Sequence, residues 1–508
     1  MVDKLKTGAL SSLTVGAAAG YYGFHVLYGR DHWAAAIFLS LILAAGLISL
    51  FRVLAHGSGF LIAPQYDRFF RHRGLHIIVL SVGFVLGIGI SASIPRHISF
   101  GLPEEKVIAL QGTLLSDPRA LSSGSGMAYL DLEKSAGRGG LRTSAKGKIL
   151  VFFPEESIPA LKEFGRGSGV YVEGSFKNQD NPLFSASAVH IIRPASALEQ
   201  FRTGLRLEFT RRFIRGSAGA GGVVQNSWGG MALALLLGIR DNLDTDLARA
   251  YREAGSSYVL ALSGMHLAVL SALIAFALRR PLGLKASSLL GALFIVLYVF
   301  LVGSQPSLDR AAIMYLLGAL AVFGALPRNP ASLLNLAFLV QIVRQNDSGI
   351  AISFILSYLA LWGILHVGEA IHELWRGKIP EKILSPFTAS LGAFITTAVV
   401  SVYYFGELRL IGIVAGLIIV PLTTVFMIGA LLWLVLSFCL PVLTVPLGMG
   451  LSFLYRVLDT LVRLAARAPG LNQPGLFPVM TFFLGLSALV LYLGGRRRAL
   501  RSCLAPLP

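Results

Sequence analysis

Cysteine is nearly missing from this chain. Its 508 residues include two, Cys439 in an apolar run and Cys503 near the C-terminus. That leaves no disulfide framework and no paired-thiolate metal site. The ten histidines form no HxH or HExxH pattern, so metal chemistry and a cofactor are not expected. Charge is scarce as well. Asp, Glu, Lys and Arg make up 14% of the chain, against roughly 25% in soluble proteins. A P-loop and a dinucleotide fingerprint are absent: the glycine-rich stretch 216–222 has no Gly-Lys-Ser/Thr behind it. Without nucleotide hydrolysis, energy for any transport would come from a partner or an ion gradient.

What is present is apolar. Hydrophobic residues make up 55% of the sequence, and runs close to the ~20 residues that span a bilayer recur along it. The pattern predicts a polytopic α-helical membrane protein with about 12 transmembrane segments. Three come first, at residues 8–28, 34–55 and 75–94. Nine follow, at 258–278, 286–303, 310–326, 332–343, 350–367, 387–405, 410–440, 442–466 and 476–494. Residues 231–237 are apolar but too short to span, and a re-entrant segment of this kind must be buried in protein or line a cavity. Lys4 and Lys6 before an apolar run imitate a signal peptide, but a second apolar run follows at once, so an uncleaved anchor is expected. Lys4, Lys6, Arg68, Arg71 and Arg73 place the N-terminus in the cytoplasm. If the nine later segments alternate, Arg279, Arg280, Lys285, Arg328, Arg376, Lys378, Lys382 and the tail Arg496, Arg497, Arg498 and Arg501 fall on that side too. Most of the net charge of +18 is then topology, with an anionic cargo as a second contributor.

Between residues 103 and 195 the apolar runs shorten. Five strands are predicted at 106–115, 127–133, 148–153, 169–176 and 183–192, with a helix at 158–164. This is the order of a small OB-like β-barrel, inserted on the extracytoplasmic side; such barrels bind oligonucleotides and oligosaccharides. Tyr129, Phe152, Phe153, Tyr171, Phe176 and Phe184 interleave with Lys146, Lys148 and Lys177, a pattern suited to single strands. Alternate positions must also fill the barrel core, and the segment is close to charge-neutral. Residues 201–216 then carry Arg202, Arg206, Arg211, Arg212 and Arg215 among apolar residues, which predicts a basic amphipathic helix on a membrane surface.

Polar groups at bilayer depth are expensive, so their clusters mark functional sites. Ser263 and His266 share a helical face beside Gly264. A serine nucleophile with a histidine base would make an intramembrane hydrolase, but the acidic third member and the GxSxG elbow are missing. A helix contact through small residues and a polar path lining are the other readings. Arg240 could pair with Asp241, Asp244 or Glu253, or sit in an interfacial loop. Arg310 follows the break at Ser304–Asp309, at a helix start where the dipole disfavours a cation. It would hold a phosphate or carboxylate there, or else snorkel. Arg456, Arg463 and Arg467 share a face with Asp459 between them, as a polyanion track or an interfacial helix.

Four blocks resemble the ComEC family of competence proteins, which import single-stranded DNA through the inner membrane. The first runs from Ala254-Gly255 through Leu260-Ala261-Leu262-Ser263-Gly264-Met265-His266. The second is Gly303-Ser304-Gln305-Pro306-Ser307 with Arg310-Ala311-Ala312. The third is Phe354-Ile355-Leu356-Ser357-Tyr358, and the fourth Phe405-Gly406-Glu407 with Pro421. Three positions depart: Tyr258 stands for the family's histidine, Ile355 for a glutamine and Gly416 for an asparagine. Many family members also carry a metallo-β-lactamase-like domain. No HxHxDH motif occurs here, so strand degradation would fall to a separate nuclease.

The resemblance implies a DNA channel in the bacterial inner membrane rather than an enzyme, with both termini cytoplasmic. It also implies a periplasmic DNA receptor and a cytoplasmic helicase-like motor as partners. The translocation path would include Arg240, Glu253, Gly255, Tyr258, Ser263, Gly264, His266, Ser304, Arg310 and Ser357. Lys146, Lys148, Lys177, Arg456 and Arg463 are further possible DNA contacts. The expected domains are membrane anchors at 1–102, the OB-like domain at 103–195, the basic helix and linker at 196–230, the channel at 231–440, and C-terminal helices with a basic tail at 441–508. A transporter of another polyanion or an envelope glycan is the alternative.

Overall fold

Glycines one turn apart let the first two helices touch backbone to backbone. The computed structural model describes residues 2–28, 66–92, 98–345 (without 102, 104–105, 122–123, 138–141, 178–182, 219–227 and 263) and 351–504. Helices α1 (Val2–Tyr28) and α2 (Tyr66–Ala92) meet at Gly16, Gly20, Gly83 and Gly87. A Cβ on Gly16 would stand 2.1 Å from the Leu80 carbonyl oxygen, and one on Gly87 2.0 Å from that of Ala17. Small residues are what allow such an approach between membrane helices. The contacts advance together, Gly16 on Leu80 and Gly20 on Phe84, so the pair is parallel, as first and third crossings would be. The predicted segment 34–55 lies outside the described residues.

A sheet domain follows. Its strands are β1 (Ser99–Phe100), β2 (Val107–Leu114), β3 (Arg119–Ala120), β4 (Gly126–Gly137), β5 (Arg142–Lys146), β6 (Lys148–Phe153), β7 (Gly169–Phe176) and β8 (Leu183–Arg193), with α3 (Ile158–Phe164) between β6 and β7. Pairing runs β2–β4, β4–β6, β6–β8, β8–β7 and β7–β2, a circuit that returns to its start. Only β6–β8 is parallel. Alternate residues fill the inside, among them Leu110, Leu130, Val151, Phe153, Val172 and Phe184. The five predicted strands and the helix are found, and β1, β3 and β5 are additional.

The remainder is a helical bundle: α4 (Ala197–Ala218), α5 (Trp228–Leu237), α6 (Thr245–Glu253), α7 (Ser257–Leu260), α8 (Gly264–Val302), α9 (Pro306–Phe323), α10 (Pro330–Arg344), α11 (Ile352–Trp375, with a π turn at Gly363–Gly368), α12 (Glu381–Phe405), α13 (Ile411–Cys439), α14 (Thr444–Ala466) and α15 (Leu476–Leu504). Among the described residues, seven helices are long and apolar enough to cross a membrane. Large apolar side chains such as Phe276, Leu320, Phe453 and Phe477 stay exposed on them, as lipid-facing residues do. The protein is a multi-pass membrane protein. Pro281 and Gly283 (φ 74°) break α8. Its ends come together at Gly238, where a Cβ would stand 2.4 Å from Leu262 and 3.4 Å from Gln305. Helix α8 is therefore a hairpin, matching the two predicted segments there.

Two elements differ from expectation or refine it. Helix α4 packs into the bundle with Arg202 and Phe213 fully buried, and protein carbonyls receive Arg202, Arg206 and Arg212, while Arg211 and Arg215 stay exposed. The short run at 231–237 lies in α5, whose ten residues are all buried by protein.

Candidate functional site

The four sequence blocks converge on one end of the bundle. Helix α6 ends at Gly255, whose φ of 66° suits glycine. A Cβ on Gly412 would meet the Gly255 carbonyl oxygen at 2.7 Å, so the first and fourth blocks touch. Gly264, at the start of α8, faces Arg310: a Cβ there would lie 2.9 Å from Arg310 Nη2. Arg310 in turn donates through Nε to Ser357 Oγ at 2.8 Å. The first, second and third blocks thus meet at one guanidinium.

Arg310 is buried, 8% exposed. Besides Ser357 it has the Met314 sulfur at 3.7 Å and the Tyr358 ring at 5.8 Å. Among the described residues, no carboxylate pairs with it. Its neighbour Asp309 is engaged elsewhere, accepting from Ser304 Oγ and from Gln345 Nε2 at 3.0 Å. Gln341 ties the same region together, donating to the Pro306 carbonyl at 3.0 Å and accepting from the Tyr358 hydroxyl at 2.9 Å. Gln341, Gln345 and Tyr358 were missed as site residues. Two glutamines at the end of an apolar helix were the available signal.

The other predicted residues distribute as follows. Arg240 makes none of the expected ion pairs. It donates to the Leu260 carbonyl at 3.1 Å, while Asp241 pairs with Lys162 at 2.6 Å and Asp244 with Arg463 at 3.3 Å. Arg463 is further held by Asp459 at 2.7 Å, so it is not a free cation on a basic track. Arg456 is exposed, and Glu253 is half-buried. Lys146, Lys148 and Lys177 are exposed on the sheet domain. His266 is buried beside the block, and Ser263 lies outside the described residues. Tyr258 is half exposed, and a Cβ on Gly416 would lie 2.6 Å from its hydroxyl. Two of the three departures therefore sit on each other: the phenol occupies room that a side chain at 416 would need. The third, Ile355, is buried among Phe338, Phe354 and Tyr358.

The sheet domain is docked over this end by charge. Arg202 donates to both Asp117 carboxylate oxygens, at 3.0 and 2.6 Å, and also to the Phe300 and Leu301 carbonyls, at 2.8 and 3.1 Å. Arg206 reaches the Leu301 and Val302 carbonyls at 3.0 Å. Both cations thus serve the C-terminus of α8, where the helix dipole favours them. Burial pushes the Asp117 carboxyl up, but hydrogen bonding from Arg202 and the charges of Arg206 and Arg202 outweigh it and hold it below the ordinary carboxylate value. Among the described residues no three metal-ligating side chains come together.

The blocks that build this site fall within one known family. The sequence model of the competence protein family matches residues 235–496. The chain belongs to the competence protein family. ComE operon protein 3 of Bacillus subtilis (strain 168) is 26% identical over 203 residues, which is 38% of this chain and 25% of that relative. The match thus spans a quarter of the relative's length. No solved structure matches the chain. The competence-family region runs from the end of α5 through most of α15 and so contains every contact around Arg310, while the sheet domain lies outside it.

Proposed function

We propose that this protein conducts single-stranded DNA through the bacterial inner membrane into the cytoplasm during natural transformation. The observation that carries the reading is Arg310. A cation buried without a counter-charge costs several kcal/mol, and a fold that keeps one where three family blocks meet has a use for an anion there. A phosphodiester passing the mouth supplies that anion in turn with each nucleotide. Gly264 puts no side chain against the guanidinium, and Ser357 sets its orientation. Arg240, Tyr258 and Ser304 extend the polar lining that a polyanion requires.

The topology supports this direction. Arg279, Arg280 and Lys285 flank the α8 turn, at the end away from the mouth, and the positive-inside rule assigns that end to the cytoplasm. The mouth and the docked sheet domain then face outward, with both termini inside. Counting α8 as two crossings and α10 as one gives nine after the sheet domain, and the N-terminal region adds three, for about 12. The circuit of strand pairings, with the helix before β7, supports an OB-like barrel. The protein acts as a conduit rather than as an enzyme. Delivery, strand degradation and motive force fall to a periplasmic receptor, a separate nuclease and a cytoplasmic helicase-like motor.

The test is labelled-DNA entry and transformation in a deletion strain complemented with wild type or Arg310→Ala. The expected result is loss of cytoplasmic entry with DNA still reaching the periplasm and normal membrane levels of the variant. Unchanged entry in the deletion strain would overturn the reading and move the cargo to another polyanion or an envelope glycan.

A further inference from the structure

The carboxylates at the junction between sheet domain and bundle are nearly all taken. Asp117 holds Arg202 and lies 3.6 Å from Arg206. Glu199 holds Arg166 and, at 3.4 Å, Arg202. Asp241 holds Lys162. Two arginines remain beside them. Arg119 lies two residues beyond Asp117, at the start of β3, and Arg240 lies immediately before Asp241. Both are exposed. Among the described residues neither has an ion pair, and Arg240 gives its one hydrogen bond to a carbonyl. Although Arg240 is exposed as a residue, its guanidinium is partly covered by protein, and that desolvation first, then the charge of nearby Arg119, disfavours its charge; Arg119 acts on Arg206 as well. The docking contacts thus bring two like charges from different domains together and leave both open.

A second observation concerns what lies beside Arg119. In antiparallel pairs, directly opposed residues project to the same side of the sheet. Arg119 is opposite Met127, and Met127 is opposite Phe152. One step along, Tyr129 is opposite Leu150. The intervening residues Ala128, Leu130, Val151 and Phe153 face the domain core, so this row lies outside. Tyr129 is 51% exposed. The surface leading to the arginine pair thus offers apolar and aromatic faces in register with a cation. Stacking platforms beside phosphate-binding groups are the chemistry that holds single strands without reading their sequence.

We propose that Arg119 and Arg240 form a clamp, one jaw from each domain, that grips a single phosphate of a single-stranded polynucleotide, with Tyr129 and Phe152 stacking the bases just outside it. The proposal rests on the DNA-import reading and gives it an entry point upstream of Arg310. It also gives the docking of the sheet domain a purpose, since the clamp exists only while the domains are joined.

The experiment is fluorescence anisotropy of labelled oligo(dT) on the full chain in nanodiscs, across a salt series, for wild type, Arg119→Gln, Arg240→Gln and the double variant. Each single change is expected to weaken binding several-fold and to lower the salt slope by about 0.7, the value for one phosphate contact on a single strand. Because both jaws grip one phosphate, the double variant should lose much less than the product of the singles. Tyr129→Ala should weaken binding with no change in slope. If wild type binds and the arginine variants bind equally well, or the two effects multiply, the clamp is refuted and the import reading stands. If wild type ignores oligo(dT) but takes a polyanionic glycan through the same arginines, the cargo is wrong, and so is the clamp as a DNA site. Binding to neither refutes both.

Discussion

Replacing Asp117 by alanine should loosen the sheet domain from the bundle. Arg202 has a fully buried side chain, and Asp117 supplies its shortest bond, at 2.6 Å. Removing one partner of a buried ion pair costs about 3–5 kcal/mol, because the other charge is left stranded. Here Arg202 keeps the Phe300 and Leu301 carbonyls and Glu199 at 3.4 Å, so the lower end applies, about 3 kcal/mol or roughly a hundredfold in the docking equilibrium. Hydrogen exchange of the purified membrane protein reads this directly: amides of residues 115–121 and of α4 should exchange faster in the variant, while the α12 core should not change. The pH dependence has a definite sign. The folded Asp117 carboxyl lies below its ordinary value, so its contribution is complete above the unfolded value near pH 4 and is lost as pH falls through the folded one. Wild type should therefore hold the junction from neutral pH to about pH 5 and approach the variant only in stronger acid. Unchanged exchange in Asp117→Ala, or loosening of wild type between pH 7 and 5, would refute the argument.

Two further outcomes follow from close approaches. Gly416→Asn should displace Tyr258, whose hydroxyl lies 2.6 Å from where a Cβ would stand. DNA entry should fall in that single variant and recover when Tyr258→His is added, and an additive pair of defects would show that the two positions act independently. Gly87→Leu would drive a side chain into the Ala17 carbonyl at 2.0 Å. Overpacking costs about 1–3 kcal/mol where side chains can yield, and backbone yields less. Disulfide cross-linking of α1 to α2 in membranes should drop, and retained cross-linking would mean that the helices do not need this contact.

Much of the fold was legible where local pattern decides structure. The strands at 148–153 and 169–176 and the helix at 158–164 appear with the predicted bounds, because apolar alternation and flanking turn residues act within a few positions. Strands β1, β3 and β5 are two to five residues long and exist through their partners, so no periodicity announces them. The arginines of α4 have the spacing of a surface helix. What Arg202 and Arg206 meet is a set of helix-end carbonyls nearly a hundred residues on, which no window of sequence contains. The ion pairs offered for Arg240 do not form, for a related reason. Its nearest carboxylates in sequence are claimed by Lys162 and Arg463 from distant elements. The four blocks were readable as blocks, and only the fold shows that three of them share one guanidinium and that Tyr258 and Gly416 are two halves of one change.

The way α4 spends its arginines has a mechanical consequence. Arg206 touches the last carbonyl of α5 as well as those of α8, and Arg212 reaches the Ser437 carbonyl near the end of α13. The sheet domain is fastened to the same helix through Asp117. A load that tilts the domain is therefore delivered to the tips of three bundle helices at once, through rigid charge-assisted bonds rather than a slack linker. A force applied to the sheet domain would work α4 as a lever, with the ends of α5 and α8 as its first load.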